Sequence, residues 1–237
     1  MAGTRHPLRV RIAATLTSTV FHSSHSRRGR ITEYNLLYSA SKPDVPAFGT
    51  WAHGLYVATE AVLLAASPRV AAGRINKHCL VAYAYDGVLF EDTTSFDFDM
   101  SPDTTLATTT FGQSAAAVTL TLVAVAARNA TAAAALAFSP NPPVQPGGGG
   151  AAYPSLAGTA FSGAGVGNAA VVVNLAATEY SWGAAPAWAT SYKQVSVAAV
   201  TRAVNDAASQ VTSATGSIQG GSVKLPPYSV TLITAAK

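Results

Sequence analysis

The chain has 237 residues, 49% of them hydrophobic, which is enough for one or two domains with a real core. Only 11% are charged, against roughly 25% in ordinary soluble domains. The net charge of +4 leans on Arg5, Arg9, Arg11, Arg27, Arg28 and Arg30 in a head free of acids, so the remainder lacks the broad basic face that nucleic-acid binding needs.

Residues 1–29 read as a disordered or wrongly started head. Their Arg- and Ser-rich, acid-free composition matches that of a transit peptide, and they contain no signal-peptide h-region. Residues 30–34 read as a short strand carrying Glu33, and residues 39–48, with Pro43 and Pro46, read as a loop. Ionised Glu is costly to desolvate, so a carboxylate in a strand-like run asks for a reason.

A helix is expected next. Trp51, Leu55, Ala58 and Val62 recur at three- and four-residue spacing, Thr50 is a candidate N-cap, and Pro68 ends the helix after Ser67. The opposite side carries His53, Tyr56 and Glu60 and is expected to be polar and solvated. The apolar run from Cys79 to Tyr85 reads as the following strand, with Cys79 a buried thiol. Strand, loop, helix and strand together make a β/α unit.

From Val88 onward the helical period gives way to alternation. VTLTLVAV (118–125), AVVVNL (170–175), QVSVAAV (194–200) and YSVTLI (228–233) all read as strands. Turn-rich stretches such as SPNPPVQPGGGG (139–150) and SGAGVGN (162–168) separate them, so residues 88–237 are expected to form an antiparallel β-sandwich. In YSVTLI, Tyr228, Val230 and Leu232 share one face and Ser229 and Thr231 the other.

Several chemistries find no support. One cysteine makes no disulfide framework or zinc cluster, and no apolar run is long enough to cross a membrane as a helix. The aspartate-rich DTTSFDFDMSPD (92–103) lacks the glycine and terminal glutamate of an EF-hand loop. The tetraglycine at 147–150 is not followed by Lys-Ser/Thr, and no Gly-x-Ser-x-Gly elbow occurs. Asn129-Ala-Thr131 fits the N-glycosylation acceptor pattern, a weak pointer to secretion. Neither a metal nor a cofactor is expected.

Five segments, in order, carry a family resemblance: ITEYNLLY, GTWAHGLYVATEAVLL, NKHCLVAYAYDGVLFED, YPSLAGTAFS with AAVVVNLA, and SVKLPPYSVTLI. Together they resemble the C-terminal part of an α-L-arabinofuranosidase-type glycoside hydrolase of the large (β/α)8 clan, to which glucuronidase and heparanase-like enzymes are related. The resemblance implies a mainly β chain: an antiparallel β-sandwich (88–237) preceded by a remnant, the last β/α units, of a (β/α)8 barrel (30–87). Glu33 then matches the nucleophile position, and Tyr34 and Asn35 match the residues beside it. His53 and His78 fall in matching segments as substrate-binding candidates.

The family's acid/base is a Glu in an Asn-Glu pair, and this sequence contains no such dipeptide. A whole barrel takes about 250 residues. The expected function is therefore that of a partial retaining hydrolase acting on a carbohydrate substrate and inactive alone. A missing barrel segment or another chain is expected to cover residues 30–87. The alternative is a non-catalytic carbohydrate-binding or structural module that contacts sugar through Tyr180, Trp182 and Trp188.

Overall fold

The computed structural model describes residues 50–67, 81–85, 88–90, 110–145, 151–163, 167–202, 204 and 210–235. Residues 1–29, the strand expected at 30–34 with Glu33 and Tyr34, Asn35, the loop at 39–48, His78, Cys79, the stretch 92–103 and the tetraglycine lie outside them.

Helix α1 spans Trp51–Ala66, within one residue of the expected limits, with Thr50 as N-cap and Ser67 as C-cap. The Thr50 side chain makes no capping bond. Instead, the Trp51 and Ala52 amides donate to the carbonyls of Arg202 and Val200 at 2.9 and 2.8 Å, so a distant turn satisfies the first N–H groups of the helix. The buried positions are Trp51, His53, Gly54, Leu55, Val57, Ala58, Ala61 and Val62, a wider set than the expected stripe. His53 is fully buried and Tyr56 and Glu60 are half-buried, so the solvated polar face expected there is absent. The sequence suggests one contact surface, whereas α1 has two neighbours: a sheet and a second helix.

That second helix corrects a sequence expectation. VTLTLVAV is not a strand but lies inside α2, Ala115–Ala127. Its alternation misleads because every position is apolar or Thr, so no period stands out. Alanines on both sides favour the helix, and Ser114 caps it by accepting from the Ala117 amide at 3.1 Å. The hydroxyls of Thr119 and Thr121 donate to carbonyls, Gly54 at 2.9 Å and Ala117 at 2.7 Å, which removes their polar penalty within the helix.

Strands β1 (Val81–Tyr85), β2 (Val88–Phe90) and β3 (Thr110–Gln113) form a three-stranded antiparallel sheet in the order β2-β1-β3. Neighbouring strands of a (β/α)8 barrel run parallel. The expected barrel remnant is thus not seen among the described residues.

The main sheet has six antiparallel strands: β4 (Ala132–Ala135), β7 (Leu156–Ser162), β8 (Ala169–Asn174), β10 (Ser191–Ser196), β11 (Thr212–Ser217) and β13 (Ser229–Thr234), ordered β11-β10-β13-β8-β7-β4. Two small antiparallel pairs, β5 (Pro143–Val144) with β6 (Tyr153–Pro154) and β9 (Tyr180–Trp182) with β12 (Val223–Leu225), complete a mainly β architecture. Of the four stretches read as strands, the last three supply β8, β10 and β13.

Alternation along the strands sends side chains to two cores. Ala157, Phe161, Val171, Val173, Val195, Val230 and Leu232 meet Trp51, Leu55, Ala58, Val62, Leu122 and Val123 of the helices. On the opposite face Leu156, Ala170, Val172 and Ile233 meet Trp182, Val223 and Leu225. All six residues of β8 are buried, which is why AVVV (170–173) is an unbroken apolar run rather than an alternating one. The split expected in YSVTLI holds, with Val230 and Leu232 toward the helices, but Ser229 and Thr231 are buried too, because the second face is also covered.

Polar side chains tie these layers together. Thr159 Oγ1 donates to the Val62 carbonyl at 2.6 Å, joining sheet to helix. The Asn174 amide donates to the carbonyls of Thr178, Leu225 and Pro226 at 2.9, 3.1 and 2.8 Å, fixing the chain that enters β13. Gln194 Nε2 donates to the Lys224 carbonyl, joining β10 to the layer beyond.

Candidate functional site

Of the five residues proposed for a sugar site, His53 alone lies among the described ones. It sits in the first turn of α1, enclosed in the protein. Glu33, Tyr34, Asn35 and His78 lie outside the described residues.

A retaining glycosidase needs two carboxyls about 5–5.5 Å apart. The described residues contain two carboxylates, Glu60 and Glu179. Glu60 lies on α1, against one face of the main sheet, and Glu179 precedes β9 on the other face. Glu179 is engaged at 3.3 Å by Lys224 in an exposed ion pair. Burial raises the Glu60 carboxyl above the usual carboxylate range. One turn away, Tyr56 is raised first by burial and then by the Glu60 charge. This half-buried Tyr-Glu pair reflects helix packing, and no second carboxyl faces it among the described residues. No cluster of three His, Cys, Asp or Glu side chains suited to a metal occurs among them either. No described helix is long and apolar enough to cross a membrane.

The three aromatics suggested for sugar contact separate in the structure. Trp182 is buried in the second core against Phe138, ring centroids 5.3 Å apart and tilted by 55°. Its Nε1 and the Thr231 hydroxyl are buried without hydrogen-bond partners. The Tyr180 hydroxyl is committed to the Pro140 carbonyl at 2.8 Å. Trp188, in the β9–β10 connection, is half-buried and lines an open cleft of about 230 Å³ with Ala132, Ala133, Ala134, Ala160, Phe161, Ser162 and Asn168.

The cleft follows from sheet register. Ala132 pairs with Ser162 and Ala134 with Ala160 across β4 and β7, and Asn168 continues the same face just before β8. Four small side chains at this corner leave a shallow floor, and Trp188 forms its wall. The sequence signal was the TAAAALAF stretch (131–138), whose run of alanines shows no period on its own.

No protein-family model matches the chain, and no curated protein matches it. Among solved structures, the chain is similar to the GH51 arabinofuranosidase from Xanthomonas axonopodis pv. citri. The identity is 19%, over 40% of this chain and 21% of that one, with a TM-score of 0.30. It is also similar to a 4-O-α-L-rhamnosyl-β-D-glucuronidase from Fusarium oxysporum 12S, at 14% identity over 52% of this chain and 30% of that one, with a TM-score of 0.36. Both are distant, partial likenesses to glycoside hydrolases, and the chain spans less than a third of either structure.

Proposed function

We propose that the chain is part of a retaining glycoside hydrolase of the α-L-arabinofuranosidase type, acting on arabinose-bearing polysaccharide or glycoprotein glycans. One observation carries this: the five resembling segments follow one another in the family's order, and the first places Glu33 at the end of a strand-like run. Helix α1 covers the second of those segments.

In this mechanism the Glu33 carboxylate attacks the anomeric carbon as the glycosidic C–O bond breaks. A second carboxyl protonates the departing oxygen. Water then attacks the glycosyl ester, giving its proton to that second group and freeing Glu33. In this reading Tyr34 and Asn35, next to Glu33 in the sequence, contribute hydrogen bonds that hold the site. The second carboxyl comes from polypeptide other than this chain. Such general acid assistance is worth about 10²–10⁴-fold, so this chain alone is inactive toward unactivated glycosides.

The test is Glu33→Gln in a polypeptide that also supplies the barrel. A fall in kcat/KM of about a thousandfold or more, about 4 kcal/mol of transition-state stabilisation, is expected. A fall under about tenfold overturns the assignment.

A second reading, a non-catalytic carbohydrate-binding module, is favoured by the open cleft at Trp188 in a body whose described carboxylates lie on opposite faces of the sheet.

A further inference from the structure

The second face of the main sheet is covered unevenly. Its centre, around Ala170, Val172 and Ile233, is sealed by Trp182, Val223 and Leu225. Its β4 corner is reached by Trp188 and stays open as the cleft of about 230 Å³. Three features of that corner bear on what fits it.

No charged side chain lines the cleft. An ionic ligand would lose hydration there without gaining a partner. Ser162, Asn168 and Trp188, which line the cleft, carry a hydroxyl, an amide and an indole N–H, and none of these groups hydrogen-bonds to another described residue. These groups supply donors and acceptors for hydroxyls on a ligand. The methyl groups of Ala132, Ala134 and Ala160 and the indole give apolar surface for a ring face. The volume falls below the roughly 300–1,000 Å³ of pockets for drug-sized ligands, so it suits one ring.

We propose that the cleft lined by Trp188, Asn168 and Ser162 binds a single ring of a neutral sugar. The C–H face of the ring packs on the indole, and its hydroxyls bond to the amide and the Ser162 hydroxyl. The proposal rests on the module reading and is independent of Glu33, so it stands or falls apart from the hydrolase reading.

The test follows the three tryptophan indole N–H resonances of the full chain during titration with L-arabinose, D-xylose and D-galactose, with glycerol as the control. One resonance, assigned by Trp188→Phe, is expected to shift saturably with at least one sugar and not with glycerol. Trp188→Ala is expected to weaken binding about tenfold, as for loss of one aromatic contact. Ala134→Leu, at an exposed edge position, fills the floor while leaving Trp188 in place, and is expected to abolish the shift. If sugar binds equally to the wild type and Ala134→Leu, the cleft is the wrong site while the module reading survives. If no sugar shifts any resonance, or glycerol does so equally, both fall.

Discussion

The indole N–H of Trp51 donates to the Tyr228 carbonyl at 2.6 Å, across 177 positions of sequence. Trp51 begins α1, and Tyr228, at φ 49°, turns the chain into β13. One bond thus locks the start of the helical layer to the entry of a central strand. Trp51→Phe keeps most of the apolar ring but leaves a part-buried acceptor unpaired, with an expected loss of about 1–2 kcal/mol in urea unfolding. Trp51→Ala, which also opens a cavity, is expected to cost about 3–5 kcal/mol. A Phe variant as stable as the wild type would show that the bond contributes nothing.

Gly54 presents a case in which local and tertiary preferences conflict. Replacing a glycine within a helix with alanine should gain up to about 0.8–1.0 kcal/mol from propensity. Here a Cβ would lie 2.8 Å from both the Cβ and the carbonyl oxygen of Ala115, where α2 crosses α1. Backbone and a methyl group cannot swing aside. Gly54→Ala is therefore expected to lower stability by about 1–3 kcal/mol, as overpacking does. A rise in melting temperature would mean that the helices are not packed this closely.

Asn174 offers a pH-dependent test. Its amide feeds three carbonyls, so Asn174→Ala should cost about 2–4 kcal/mol by orphaning buried acceptors. Asn174→Asp places a carboxyl against the same oxygens, which favour its protonated form and raise its folded pKa. Its destabilisation should be small below the unfolded value of about 3.9 and grow as pH rises above it. Equal destabilisation at acid and neutral pH would contradict the triple contact.

Glu60 makes the corresponding prediction for the native protein. Burial raises its folded pKa, so its effect on stability is most favourable below the ordinary carboxylate range. That advantage is lost as pH rises through the raised folded value. Glu60→Gln should remove this part of the pH slope and stabilise the protein at neutral pH, with the difference vanishing in acid. The Tyr56 phenol should also titrate lower in the variant, having lost the neighbouring charge. Parallel stability curves for the two proteins would refute the assignment.

Sequence legibility varied with the number of faces each element buries. The limits of α1 were readable because Pro68 and the apolar spacing agree. β10 and β13 were visible through their β-branched residues, and β8 through its apolar run. α2 was not, because a helix apolar all round has no stripe to detect, and its threonines hide their hydroxyls by bonding to carbonyls. The burial of His53 was equally hidden, because its spacing puts it on a face with Tyr56 and Glu60 that reads as polar. Trp182 and Trp188 look alike in sequence, and tertiary packing makes one a core residue and the other the wall of a cleft. Glu33 stood out by its chemistry rather than by periodicity.

The central claim is that Glu33 forms the glycosyl-enzyme bond. An epoxide analogue of arabinofuranose, which traps the attacking carboxylate as a stable ester, tests it directly in a polypeptide that carries this chain together with the barrel. Peptide mass spectrometry should place the added sugar mass on Glu33, and Glu33→Gln should remain unlabelled. Labelling of a different carboxylate, or undiminished labelling of the Glu33→Gln protein, would contradict the claim.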